Sequence, residues 1–459
     1  MTILYILLAL LIFGLLIFIH ELGHFIVARL CGVKVLEFAI GMGPKLVSWK
    51  GKKSGTVYAL RAFPIGGFVN MLGENGMEAV QGDNGEASLT REKVETLVND
   101  TADGTEEKEE TETEIDPELA KQAYCNQSVW KRLLISLAGP FMNVLLGFVL
   151  MLVLVLVGGH NSLLTTHVGA FHVVYTGEES MQGLEKGDYL YAIEGELVSY
   201  ERLREQIQKS NGAPIKITVQ RLNEDETDYQ LIELEVTLTE ADLEHFWGSK
   251  SEQTGLRVGD KILKVNSVPV STYYHLQQEI MFQGYRPVNL TVLRDGKKVE
   301  LEGVSFPNDN TGGTVIGNPD FRVYREENYH IGTVLKHTWS RSVATVKSVY
   351  DSILGLFSRR FGFEAISGPI GITTQMKDVV QIGFVGVLSF VTLISINLGI
   401  MNLLPLPALD GGHIFIYLIE AIRRKPMKKE LEAMINFVGL ILILALAVIV
   451  AVKDVITLL

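Results

Sequence analysis

Apolar positions in this chain come in four long blocks. The first carries no charge over residues 3–19 and continues to Ala28. The second covers 133–157 and is opened by Ser128-Val129-Trp130-Lys131-Arg132. The third covers 383–404, and the core of the fourth is 437–452. An α-helix rises about 1.5 Å per residue, so roughly 20 apolar residues cross the hydrocarbon core of a bilayer. The pattern predicts transmembrane helices within segments 1–30, 128–160, 380–412 and 430–457. Residues 31–73 break instead into short β-prone runs punctuated by Gly and Pro, including a Gly-Lys-Lys-Ser-Gly turn from Gly51 to Gly55. They predict a small antiparallel sheet of hairpins. Residues 325–362 read as an amphipathic helical region lying along a membrane surface.

The stretch 165–307 is soluble in composition and repeats itself. Gly183-Leu184-Glu185-Lys186-Gly187-Asp188 matches Gly255-Leu256-Arg257-Val258-Gly259-Asp260. Each copy is followed by a helix-like stretch (200–209 and 272–282) and then by an alternating strand (215–221 and 288–294). This arrangement resembles two PDZ domains in tandem, placed at 165–245 and 246–310, with the first strand of the second copy around 243–247. The resemblance implies an extended peptide as ligand, added as a strand. The nearest sequence to a carboxylate-binding loop is Val168-Gly169-Ala170-Phe171, and a purely steric role stays equally open. The fold class read from the sequence is an α-helical polytopic membrane protein with four transmembrane helices, a membrane-associated small β-sheet and tandem PDZ-like α+β domains.

Composition narrows the function. The chain is 47% hydrophobic with a net charge of −12, which argues for a membrane protein and against a nucleic-acid partner. Residues 74–127 form an acidic insertion. Its Glu, Asp, Thr and Gly-rich part, 74–118, predicts disorder or loose helix and carries no assigned chemistry. Cys31 and Cys125 are the two cysteines, so neither a disulfide framework nor a Cys-based zinc site is expected. No Lys or Arg precedes Arg29, so the first apolar block reads as a retained span and not as a signal peptide. Basic residues crowd the segment after the first span, the entry to the second and the Arg423-to-Lys429 link. By the positive-inside rule these segments face the cytoplasm, and the repeat region lies outside.

Chemistry enters at the end of the first block, in His20-Glu21-Leu22-Gly23-His24. On a helix the two histidines share a face and can both point at one Zn²⁺, with Glu21 beside them to take a proton from water. So short a pattern also arises by chance. At membrane depth, though, two imidazoles and a carboxylate are costly unless paired or metal-bound. Gly41-x-Gly43 is followed by no helix that would make it a phosphate cradle, and a solvent-facing hairpin remains open for it. Asn143, in the second span, needs an inward partner.

Taken with Asn402-x-x-Pro405-x-Pro407-x-x-Asp410-Gly411, the histidine motif closely resembles the site-2 protease family of intramembrane zinc metalloproteases, of the bacterial RseP/RasP type that carries PDZ domains between its halves. The resemblance covers nearly the whole chain apart from the acidic insertion. It implies His20, His24 and Asp410 as zinc ligands and Glu21 as general base. It also implies that the segment with Gly41 and Gly43 re-enters the membrane as a β-loop beside the active site, and that Asn402, Pro405 and Pro407 help to hold substrate. The implied substrates are single-span membrane proteins, such as an anti-sigma factor already trimmed outside or a signal-peptide remnant. The implied location is the bacterial cell (inner) membrane, with the active site toward the cytoplasm. Two rivals are a membrane metallopeptidase with a downstream Glu as third ligand and a catalytically dead peptide-binding scaffold. The Leu-Asp-Gly motif and repeat argue against the first, the intact ligand set and Glu21 against the second. A substrate helix must also open. The runs 35–40 and 56–63 are expected to offer an unpaired sheet edge for it.

Overall fold

A computed structural model of the chain describes residues 2–52, 54–74, 80–81, 87–88, 117–222, 229–311, 314–357, 366, 368, 371, 375–376 and 379–458. Most of the acidic insertion and of the Ser367-to-Gly371 turn lies outside the described residues. The chain divides into two units, Met1–Leu154 with Ile366–Leu459, and Val155–Ala365.

In the first unit, four helices are long and apolar enough to cross a membrane among the described residues. They are α1 (Thr2–Leu30), α2 (Val129–Gly158), α3 (Phe384–Leu403) and, after a short α4 (Asp410–Arg423), α5 (Lys429–Leu458). Small residues bring α2 against both neighbours, which is how helices associate when lipid gives no hydrophobic drive. A Cβ on Gly23 of α1 would meet the carbonyl of Ala138 and, at 2.7 Å, Met142. A Cβ on Gly399 of α3 would come within 2.9 Å of the Pro140 carbonyl. Ser395 Oγ of α3 donates to the carbonyl of Asn143 at 2.7 Å. α3 ends at Leu403, where Pro405 and Pro407 cannot continue a helix. The chain restarts as α4 with Asp410 in its first turn.

Residues 31–73 form two long strands, β1 (Val35–Lys50) and β2 (Val57–Met71), each bent back on itself. Phe38 pairs with both Val69 and Tyr58, and Ala39 with both Phe68 and Ala59, while 45–50 pairs with 57–61. Four segments therefore lie side by side in the order 45–50, 57–61, 35–40, 67–71. The bend in β1 falls at Gly41 and Gly43, both at φ +84°, a conformation that L side chains avoid. Glu37, 1% exposed, anchors this bend. It accepts from Arg61 Nη2 at 2.7 Å while Arg61 Nη1 donates to the Gly43 carbonyl at 2.8 Å. The sheet packs on α1 through Phe38, whose ring meets Phe18 and Phe25.

This doubling corrects one expectation. The runs 35–40 and 57–61 are paired on both sides, and the edges are 45–50 and 67–71. Alternation within a run shows its strand character but not which neighbours it will acquire.

In the second unit, two sheets of similar plan each carry a helix, Tyr200–Ser210 in one and Tyr273–Gln283 in the other. Ser199 and Thr272 cap these helices, accepting from the amides of Arg202 and His275. The repeated Gly-Leu-x-x-Gly-Asp turn has one structural purpose in both. Asp188 accepts a bidentate pair from Arg221 and Asp260 one from Arg294, all at 2.7 Å, and each Arg also reaches the carbonyl of the first glycine of its turn. The turn is thereby tied to the strand that follows the helix.

The strands do not divide at residue 245/246. Leu164–Phe171 sits in the second sheet, between Lys261–Val265 and Phe321–Arg325, whereas Phe246–Trp247 sits in the first, on Val173–Tyr175. The first sheet is thus inserted into the second. Val168-Gly169-Ala170-Phe171 is strand and not a carboxylate-binding loop. Helix Ile331–Phe357 follows.

Candidate metal centre

His20 and His24 lie one turn apart near the end of α1, each 8% exposed. Asp410 comes from far along the chain to face them, its Oδ2 3.0 Å from His20 Nε2 and its Oδ1 3.5 Å from His24 Nε2. The two Nε2 atoms are 3.2 Å apart. In a tetrahedral zinc site with bonds of about 2.0–2.1 Å, neighbouring donors stand about 3.3 Å apart. The three observed separations bracket that value, so the donor set fits zinc in chemistry and in spacing. Among the described residues this trio alone has metal-ligating atoms gathered this closely.

The imidazoles are also oriented from behind. His24 Nδ1 is 2.8 Å from the Ile135 carbonyl, to which it donates. That leaves Nε2 with a bare lone pair toward the shared point. His20 Nδ1 lies 3.2 Å from the amide of Asn143, which is fully buried. Gly139 of α2 leaves the room: a Cβ there would land against His24 Nε2 and 2.8 Å from His20 Cε1.

The centre opens into a cavity of about 610 Å³. Glu21 lines it beside the histidines. Its opposite walls include Phe68 and Val69 of the β2 edge segment, and Tyr417, Glu420 and His413 of α4. Gly67 sits close enough that a Cβ would come within 3.1 Å of Glu21 Cγ, so the 67–71 edge runs past the general-base candidate. Helix α4, which carries Asp410, is fixed by a buried network. Arg132 Nη2 donates to Glu420 Oε2 at 2.7 Å, the other Glu420 oxygen accepts from the Met427 amide, and the Arg132 guanidinium covers the Tyr417 ring at 4.7 Å. Tyr124 donates to Tyr417 at 3.0 Å. Burial pushes the Tyr124 phenol up to about 12 and Tyr417 well above its ordinary value, so both stay neutral.

Of the residues singled out in the sequence, His20, Glu21, His24 and Asp410 converge. Gly41, Gly43, Asn402, Pro405 and Pro407 are not among the residues lining the cavity. The two glycines shape the hairpin bend, and Pro407 packs where a Cβ on Gly439 of α5 would strike it. His413, which lies outside the sequence motifs, also lines the cavity, with its Nδ1 3.4 Å from Glu432 Oε1. Gly139, Phe68 and the Arg132–Glu420 pair carried no signal beyond small size, apolarity or charge. Asn143 was visible as a polar residue in a span.

The His/His/Asp trio and adjacent glutamate, in a chain with four membrane-length helices among the described residues, fit a membrane metalloprotease. The sequence matches peptidase family M50 over residues 8–446, and the chain belongs to that family. It is similar to the regulator of sigma-W protease RasP of Bacillus subtilis, with 27% identity across 97% of this chain and 96% of that one. The zinc metalloproteases RasP of Shouchella clausii and Bacillus licheniformis are also 27% identical, each over 97% of both chains. The protein is accordingly a membrane zinc metalloprotease.

Proposed function

We propose that this protein hydrolyses peptide bonds inside the transmembrane segments of single-span membrane proteins. The observation that carries this reading is the position of the centre, at the end of an apolar helix of membrane length, lined by an open sheet edge. His20, His24 and Asp410 hold the zinc in this reading, three protein ligands leaving a fourth position for chemistry. When bound, zinc polarises the scissile carbonyl and makes water more acidic. Glu21 takes the proton from the attacking water and delivers it to the leaving amine. The expected result is that His20→Ala and Asp410→Ala lose zinc, whereas Glu21→Gln keeps it and loses cleavage by a factor of about 10³ or more. Metal content and cleavage of a membrane substrate by purified protein check this, and a Glu21→Gln protein that still cuts would sink the assignment.

A substrate helix must open before it is cut, and opening it in lipid strands polar groups at several kcal/mol each unless new partners appear. The edge 67–71 supplies them, because no further strand pairs with it among the described residues. Gly41, Gly43, Asn402, Pro405 and Pro407 support this arrangement by shaping the hairpin and the break after α3. Replacing Leu by Gly near the cut site eases unwinding by about 1 kcal/mol per residue, so cleavage should quicken about fivefold for each. Rates on substrates graded in helix propensity provide the test. All-Leu spans cut as fast as Gly-containing ones would refute strand capture.

The repeated units in Val155–Ala365 are PDZ-like in this reading, outside a bacterial inner membrane, with the centre toward the cytoplasm. They gate access against substrates that keep bulky external domains, or bind a peptide end as an added strand. Because the relative in Bacillus subtilis is named a regulator of sigma-W, a trimmed anti-sigma factor is the substrate class to try first, and signal-peptide remnants the second.

A further inference from the structure

We infer that Asn143 is a positioning residue for the metal, which acts by choosing the tautomer of His20. This rests on the ligand reading above. Each histidine can offer Nε2 to a metal only if its ring proton sits on Nδ1. For His24 the Ile135 carbonyl, 2.8 Å from Nδ1, can only accept and so enforces that tautomer. For His20 the corresponding place is held by the Asn143 amide, placed with its Nδ2 3.2 Å from Nδ1. An amide presents a carbonyl on one side and an amino group on the other, and only the carbonyl holds the proton where metal binding needs it. With the two ends of the amide exchanged, so that Oδ1 faces Nδ1–H, the Nε2 lone pair points at the place shared by His24 Nε2 and Asp410, 3.2 and 3.0 Å away.

Three features make Asn143 suited to this and not to general packing. It is completely buried in an apolar helix, where an amide is costly without a partner. As placed, its one side-chain hydrogen bond is the Nδ2 contact to His20 and its buried Oδ1 has no partner, so the side chain serves no other polar group and exchanging its two ends forfeits no bond elsewhere. Its backbone is fixed as well, since Ser395 Oγ of α3 holds its carbonyl at 2.7 Å. The amide is therefore delivered to His20 by two packed helices.

The test compares Asn143→Leu, an apolar side chain of similar size, with Asn143→Asp, which can only accept. Zinc affinity is read by competition with a chromogenic chelator, and ligand geometry by the visible spectrum of the cobalt-substituted protein. Loss of such an outer partner typically weakens metal binding 10–100-fold. Asn143→Leu should show that loss and an altered cobalt spectrum, whereas Asn143→Asp should bind zinc at least as tightly as the parent and keep the parent spectrum. A merely structural role predicts the reverse order, because a carboxylate is the harder group to bury. Asn143→Leu with parental affinity and spectrum overturns the inference, and so does Asn143→Asp as weak as Asn143→Leu. Should either variant fail to fold, ¹⁵N-histidine spectra of the zinc-loaded parent decide: His20 protonated at Nδ1 supports the assignment, and protonation at Nε2 overturns it. His20→Ala is the control. If it keeps its zinc, the ligand reading itself has failed. If it loses zinc while Asn143→Leu does not, only the role of Asn143 falls.

Discussion

Gly139→Ala is expected to strip the protein of its zinc and to lower peptide hydrolysis by about a hundredfold or more. A Cβ at this position would fall against His24 Nε2, within 2.7 Å of His24 Cε1 and 2.8 Å of His20 Cε1. Cβ atoms do not approach that closely, so something must move. The rings cannot swing aside cheaply, since His24 is held by the Ile135 carbonyl and His20 by Asn143. Nor can α1 and α2 part easily, because Gly23 already brings α1 onto the Ala138 carbonyl. Overpacking a core costs about 1–3 kcal/mol in stability. The larger effect falls on geometry, where a displacement of about 1 Å loses about a hundredfold in rate. Zinc content and cleavage rate of the purified variant measure both effects. A folded Gly139→Ala protein with a full complement of zinc would show that the helices can separate at this point after all.

The second large effect is expected at the far wall of the cavity. Arg132→Leu should destabilise the protein by about 3–5 kcal/mol, the usual result of leaving one partner of a buried ion pair alone. The Arg132 side chain is 12% exposed and that of Glu420 3%, so solvent screens the pair little. Glu420→Leu should cost a similar amount. The double replacement should cost less than either, since no charge is then left stranded. Thermal unfolding in detergent of the four proteins checks this as a double-mutant cycle, and additive losses would mean that the pair is not coupled. Because α4 begins with Asp410, the single variants should also lose zinc more readily than the double.

The chemistry was the most legible part of the sequence, because it depends on local spacing. One helical turn between His20 and His24 is enough to put two imidazoles on one face. The four spans were legible for the same reason, each being a property of one continuous run. Asp410, from a distant segment, entered only through the family resemblance; what the sequence did not show was how distant segments pair and pack. The doubling of β1 and β2, which moves the free edge to 67–71, depends on pairing and not on alternation. The need for Gly139 arises only once α2 lies on α1. The repeated Gly-Leu-x-x-Gly-Asp turn was plain, but the arginine that each aspartate captures lies more than thirty residues downstream.

The insertion of one β unit within the other bears on how the chain is made. Strand Leu164–Phe171 leaves the ribosome before any of its partners in the sheet. Its neighbours, Lys261–Val265 and Phe321–Arg325, are not synthesised until the intervening unit, which can close with Phe246–Trp247, is complete. During that interval an early strand waits with open edges, and such edges recruit other chains. Prompt folding of the inserted unit, whose ends lie at neighbouring strands of its own sheet, shortens the wait. Truncations meant to isolate one unit should therefore be cut around 172–248 as a block, since a boundary at 245 would leave each half holding a strand that belongs to the other.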